Sequence, residues 1–154
     1  MGTTTFQGIV RSYGGADKSS GVTPVPVLQS VVISFDPTAA AATAVRIGTS
    51  ATLGNTLVLP IGAVPVSFVS LGGATGGTNA TADIGTATTT DGFFNEVDAD
   101  TKGTITGANG SLVVGTGLAA AVTVTAKVGA SAATGGTTTG VFNFVAYNSG
   151  AISS

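Results

Sequence analysis

The sequence predicts an all-β fold: a single-domain β-sandwich, jelly-roll-like, with an extended N-terminal arm. Three observations carry this. Thr (26 residues) and Gly (24) dominate, Val is abundant, and His, Cys and Trp are absent; Thr and Val favour strands, while Gly punctuates turns. Apolar runs recur at intervals of about 8–15 residues, the spacing of a sandwich or barrel. Hardly any segment has the 3.6-residue periodicity of a helix. At 154 residues the chain is the size of one domain, long enough to bury about 70% of its unfolded surface.

Residues 1–23 read as an arm or lead-in, polar and Gly-rich around RSYGGADKSSG, with one short strand over residues 6–11. The sandwich domain spans residues 24–154. Pro24 and Pro26 hold the backbone extended and cannot donate to a ladder, so the entry is an edge. Val27 to Phe35 is then a strand, closed by Asp36-Pro37. The following Ala run is too short for a stable helix, and AVRIG alternates as a strand. NTLVLP and VPVSFVSL are two more strands around a Pro-Ile-Gly turn. Strict alternation puts Val64, Val66, Phe68 and Ser70 on one face, with Pro65, Ser67, Val69 and Leu71 on the other.

GGATGGTN is a loop and ATADIGT a strand; GTITG, GSLVVGTG, AAVTVTAKVG and GVFNFVAYN supply the rest. Val122, Val124, Ala126 and Val128 oppose Thr123, Thr125 and Lys127. In the final strand Phe142 and Phe144 oppose Val141, Asn143, Val145 and Tyr147. The intervening ASAATGGTTTG reads as a long flexible hairpin loop. VVISF and SLVVG do not alternate, which suits strands covered on both faces. Strand number and loop spacing favour the jelly roll among sandwiches.

Only 8% of residues are charged, against about 25% in an ordinary domain. Without His there is no imidazole base, and without His or Cys the usual zinc, copper and iron sites are excluded. Arg11, Lys18, Arg46, Lys102 and Lys127 are scattered and the net charge is −2, so no nucleic-acid partner is expected. No membrane partner is expected either, since every apolar run falls well short of the ~20 residues that span a bilayer. The start MGTTTFQGIVRS lacks the order of a signal peptide, and Phe6 spoils a myristoylation signal; synthesis in the cytoplasm is the expectation. A mean hydropathy of +0.51 with so little charge points to a protein that works in an assembly.

Asp91, Glu96, Asp98 and Asp100 place four of the seven acidic residues within ten positions. Aligned as an EF-hand from Asp98, the loop has the cation Lys102 at the fifth position, where an oxygen ligand belongs, and Asn109 in place of the Glu at the twelfth. A glycosidase pair needs carboxyls about 5–10 Å apart and usually aromatic platforms, but only Tyr13 and Tyr147 accompany the seven Phe. The favoured reading is a surface excursion: Asp91-Gly92 turns, Phe93 and Phe94 return to the core, and residues 95–100 face water, with Thr90 or Asp91 capping a helical turn. No catalytic residue, metal or cofactor is expected. LGGATGG and ATGGTTTG lack the Lys-Ser/Thr of a phosphate loop, and Asn79-Ala80-Thr81 is a bare glycosylation sequon.

Residues 59–94 run Leu59-Pro60, Gly62-Ala63, a Val-rich strand, a Thr/Gly loop, Ile84-Gly85-Thr86-Ala87 and Asp91-Gly92-Phe93. This order is similar to a segment of small virion structural proteins of tailed bacteriophages, of the capsid decoration or cement kind. FQGIVRS, residues 6–12, resembles the start of many phage head proteins. The resemblance implies a β-sandwich without catalytic residues that binds the major capsid protein and itself, as a homotrimer ahead of a homodimer. It also implies a location on the capsid exterior of the virion, after assembly in the host cytoplasm. An arm carrying Phe6, Ile9, Val10, Arg11 and Tyr13 is the candidate capsid contact. A head-fibre or tail-tip module binding host glycan through the Gly-rich loops is the alternative, followed by a small carbohydrate-active enzyme using the acidic stretch.

Overall fold

The computed structural model describes residues 26–112 and 117–146. The arm, with its expected strand, and Val113, Val114 and Tyr147 lie outside the described residues. Among the described residues the fold is all-β, with no helix. The first strands are β1 (Val27–Phe35), β2 (Thr43–Ala44), β3 (Arg46–Ile47), β4 (Val58–Leu59), β5 (Val64–Ser70) and β6 (Ala74–Thr75). β7 (Thr81–Gly85), β8 (Phe94–Asp98), β9 (Ile105–Gly107) and β10 (Val122–Thr123) follow. The last are β11 (Thr125–Val128), β12 (Gly135–Gly136) and β13 (Thr138–Ala146).

A five-stranded sheet has the order β3-β1-β13-β5-β9, and a four-stranded sheet the order β2-β11-β7-β8. Two small pairs, β4 with β10 and β6 with β12, fill the ends. The pairing is nested and antiparallel: β1 with β13, β2 with β11, β5 with β9, β7 with β8. The chain therefore folds as one long hairpin. Its successive segments are shared between two facing sheets, which β13 to β5 and β11 to β7 complete.

Six phenylalanines weld the sheets together. Phe35, Phe68, Phe142 and Phe144 come from the five-stranded sheet, and Phe94 with neighbouring Phe93 from the other side. Phe142 lies at the centre, edge-on to Phe94 at 5.3 Å and 87°, and to Phe93 at 6.3 Å and 81°. Such edge-to-face pairs add about 0.5–1.5 kcal/mol each beyond the area they bury. Ile33, Leu57, Leu59, Ile84, Val97 and Val124 fill the space between the rings. Gly140, on β13, lets Phe68 lie against the backbone, because a Cβ there would sit 2.1 Å from the ring.

Several expectations are corrected by irregularities in the ladders. Asn143 pairs with Ser67 and Phe144 with Pro65, so Val66 is an extra residue on β5. This bulge turns Pro65 inward and leaves Val66 exposed, where strict alternation put Val66 beside Phe68. VVISF is covered on both faces only in part: Val31, Ile33 and Phe35 are buried on one side and Ser34 on the other, but Val32 is 39% exposed. ASAATGGTTTG is tied down at Gly135–Gly136 by pairing with Ala74–Thr75, and from Thr138 onward it already belongs to β13. Around Asp91 there is no helical turn; the Thr86 hydroxyl accepts the Thr89 N–H at 3.1 Å and closes a tight loop.

Candidate functional site

Within the acidic stretch, Phe94–Asp98 is strand β8 and not a water-facing loop. Ala82 pairs with Val97 and Ile84 with Phe94, so Asn95 and Glu96 together oppose Asp83 in a second bulge. Phe94 and Val97, three residues apart, are both fully buried as a result. Glu96 adopts φ 58, a left-handed conformation uncommon outside glycine. From there its carboxylate accepts hydrogen bonds from the Thr81 hydroxyl and, at 2.8 Å, from Ala130 N–H. Its own N–H donates to Asp83 Oδ1 at 3.1 Å. Asp83 Oδ2 meets Lys127 Nζ at 3.5 Å.

Asp98 and Asp100 hold the following turn. Asp98 Oδ1 accepts the N–H groups of Asp100 at 3.0 Å and Thr101 at 2.7 Å, and Oδ2 accepts the Thr104 hydroxyl at 3.2 Å. Burial alone raises the Asp98 pKa, but the hydrogen bonds from Thr101, Asp100 and Thr104 outweigh it and leave the group below its ordinary 3.8. Asp100 Oδ2 accepts Ala80 N–H at 3.3 Å. Asp91 is an exposed turn residue. The carboxylates of Asp83, Glu96, Asp98 and Asp100 are spent on backbone amides of four different segments. Among the described residues no group of three or more Asp, Glu, His or Cys is gathered to hold a metal ion.

Opposite this charged side lies a face of another character. Four strands of the five-stranded sheet, β1, β13, β5 and β9, contain no Asp, Glu, Lys or Arg, and the edge strand β3 carries Arg46, whereas the four-stranded sheet carries Asp83, Glu96, Asp98 and Lys127. On the outer face of the five-stranded sheet, register aligns Val32, Val141, Val69 and Ile105 in one row across four strands. Val32 is 39% and Ile105 69% exposed. The next row is Ser30, Asn143, Ser67 and Gly107. There the Asn143 amide accepts from the Ser30 hydroxyl at 2.5 Å and donates to Ser67 Oγ at 3.0 Å. Leu28, Val145 and Val64 form a third, apolar row.

An antiparallel sheet with one face in the core normally presents a polar outer face. Here apolar and polar rows alternate, Val32 to Ile105 and Leu28 to Val64 flanking the hydrogen-bonded Ser30, Asn143 and Ser67. The sequence shows that Val69 and Val141 point away from the phenylalanines, but it does not show that they stand side by side. That alignment depends on the pairing of strands about 70 residues apart (Val141 with Val69). The arm residues Phe6, Ile9, Val10, Arg11 and Tyr13 lie outside the described residues.

No protein-family model matches the chain, and no curated protein matches it. Among solved structures, the cyanophage Pam1 capsid asymmetric unit is similar over 78% of this chain and 84% of that chain, with 17% sequence identity and a TM-score of 0.48.

Proposed function

We propose that the chain is a structural protein of a tailed-phage virion that attaches to the outside of the capsid shell and stabilises it. The partner in this reading is the major capsid protein, met by the outer face of the five-stranded sheet. The observation that carries it is the absence of any charged residue from β1, β13, β5 and β9, with the apolar row from Val32 to Ile105 exposed along them. The resemblance of residues 59–94 to decoration and cement proteins supports the same reading, as does the nested strand order, which we read as a jelly roll. No reaction is assigned: Glu96, Asp98 and Asp100 are bonded to backbone N–H groups, and Asp91 stands apart on an exposed turn.

Co-sedimentation with empty capsid shells tests this. The unaltered protein is expected to pellet with shells, and to do so equally in 1 M salt, because an apolar contact is not screened. Val32→Asp and Ile105→Asp change exposed side chains and leave the core intact; each is expected to weaken pelleting at least about tenfold, the effect of ~1.4 kcal/mol. A protein that never pellets with shells refutes the reading. Pelleting that survives both substitutions moves the contact to another surface.

A further inference from the structure

The side chain of Asn109 closes the edge of a sheet to which it does not belong. β8 is the last strand of the four-stranded sheet, and Asn95 sits at its bulge. Asn109 follows β9 and meets both backbone groups of Asn95. Its Oδ1 accepts the Asn95 N–H at 2.8 Å, and its Nδ2 donates to Asn95 O at 3.4 Å. The amide thus stands where a partner strand would pair with an open edge. The main chain around it is seated as firmly. Asn109 and Gly110 N–H both donate to Phe93 O, at 3.2 and 3.1 Å, and Leu112 N–H donates to Gly92 O at 2.8 Å. The backbones of Gly110 and Gly92 are in contact: a Cβ on Gly110 would lie 2.2 Å from the Gly92 carbonyl, and one on Gly92 would lie 2.5 Å from the Leu112 side chain.

Asn109-Gly110 is also the one Asn-Gly pair in the chain. In an unconstrained chain that pair deamidates readily, because Gly has no Cβ to hinder attack by its nitrogen on the Asn side chain. We infer that Asn109-Gly110 is a deamidation site gated by folding: inert while residues 109–112 are seated, reactive once they lift, and unable to seat again after modification. In the reaction the Gly110 nitrogen bonds to Asn109 Cγ and the Cγ–Nδ2 bond breaks. Nδ2 leaves as ammonia, taking the proton that the Gly110 nitrogen gave up. Water then opens the succinimide ring at either carbonyl and leaves aspartate or isoaspartate. In the seated chain each requirement is blocked. Asn95 holds the amide at both ends, Phe93 O holds the Gly110 N–H, and Gly92 leaves the Gly110 backbone no room to turn. In the product the lock is gone: an aspartate has no N–H for Asn95 O, and an isoaspartate lengthens the main chain between the two N–H groups that share Phe93 O. The β8 edge is then open. The gate concerns the free protein and stands independently of shell docking.

The test is peptide mapping by mass spectrometry in mildly alkaline buffer, with the full chain folded and with it unfolded in guanidinium chloride. At residue 109 the folded chain is expected to deamidate about 100-fold more slowly, since reaction must wait for a local opening. Leu112→Ala removes the side chain that lies over Gly92. It is expected to speed the folded rate at least about tenfold and to leave the unfolded rate unchanged. Chains modified while unfolded carry an added negative charge and separate by ion exchange. Returned to buffer, they are expected to unfold at lower denaturant than unmodified chains carried through the same steps, or not to refold at all. Equal rates in the folded and unfolded chain overturn the gate, whether or not the variant folds. A folded rate that Leu112→Ala does not raise overturns the seating, and modified chains as stable as unmodified ones overturn the loss of the lock.

Discussion

Glu96 and Ala130 are 34 positions apart, yet the Glu96 carboxylate accepts the Ala130 N–H at 2.8 Å. With the Thr81 hydroxyl on its other oxygen, this one side chain joins β8 to β7 and to the segment that follows β11. Its left-handed backbone, which costs about 1 kcal/mol or more, is what aims it there.

Glu96→Ala is therefore expected to destabilise the protein by about 0.5–1.5 kcal/mol, because the bonds to Ala130 N–H and the Thr81 hydroxyl are both lost. Glu96→Gln keeps a carbonyl oxygen for Ala130 and allows the Thr81 hydroxyl to rotate, so it is expected to cost less than half as much. Urea unfolding of the two variants measures the difference. Equal losses contradict the brace.

Asp83 and Lys127 form an unequal pair. Asp83 is buried and also accepts the Glu96 N–H, whereas the Lys127 side chain is 31% exposed. Lys127→Ala is expected to cost under about 1 kcal/mol, as for other partly exposed pairs. Asp83→Ala strands the Glu96 N–H as well and is expected to cost about 1–3 kcal/mol. Thermal denaturation of both, with the double variant, gives the coupling directly.

Asp98 makes stability depend on acid. Its folded pKa lies below the ordinary 3.8, so the carboxylate contributes stability that is fully present above that value. The contribution is lost as pH falls through the folded pKa. Asp98→Asn is expected to lower the melting temperature at pH 7 and to flatten its fall below pH 4. An acid limb as steep as that of the unaltered protein refutes the assignment.

Gly140→Ala drives a methyl group into Phe68, 2.1 Å from the ring and 2.8 Å from Val69 O. Overpacking against backbone as well as ring is expected to cost about 3 kcal/mol or more. Gly107→Ala, on the same sheet but with open space around it, is expected to change stability by less than about 1 kcal/mol. Chemical denaturation of the two separates steric need from mere strand propensity.

Class and most of the longer strands were legible in the sequence, but β6, β8 and β12 fall in stretches that read as loops. The Val27–Phe35 strand appears with the expected bounds, and Phe142 and Phe144 point inward with Val141, Asn143 and Val145 opposite. These follow from a period of two and from Pro, Gly and Asp at the ends, which are local properties. The brace formed by Glu96 was not legible. A run of carboxylates reads as solvated surface unless the amides it will meet are known, and those of Ala130 and Ala80 come from distant segments.

The sequence by itself determined that the chain forms short strands with a phenylalanine core and few charges. It also confined every charge of the described sandwich to strands and loops outside β1, β5, β9 and β13. Only the tertiary structure decided which residue faces which way at Val66 and Glu96, because a bulge exists only relative to a partner strand. The same pairing decided that Val32, Val141, Val69 and Ile105 make one row. Each of them satisfies its own strand's alternation, but their shared surface is created by hydrogen-bond register between segments far apart in the chain.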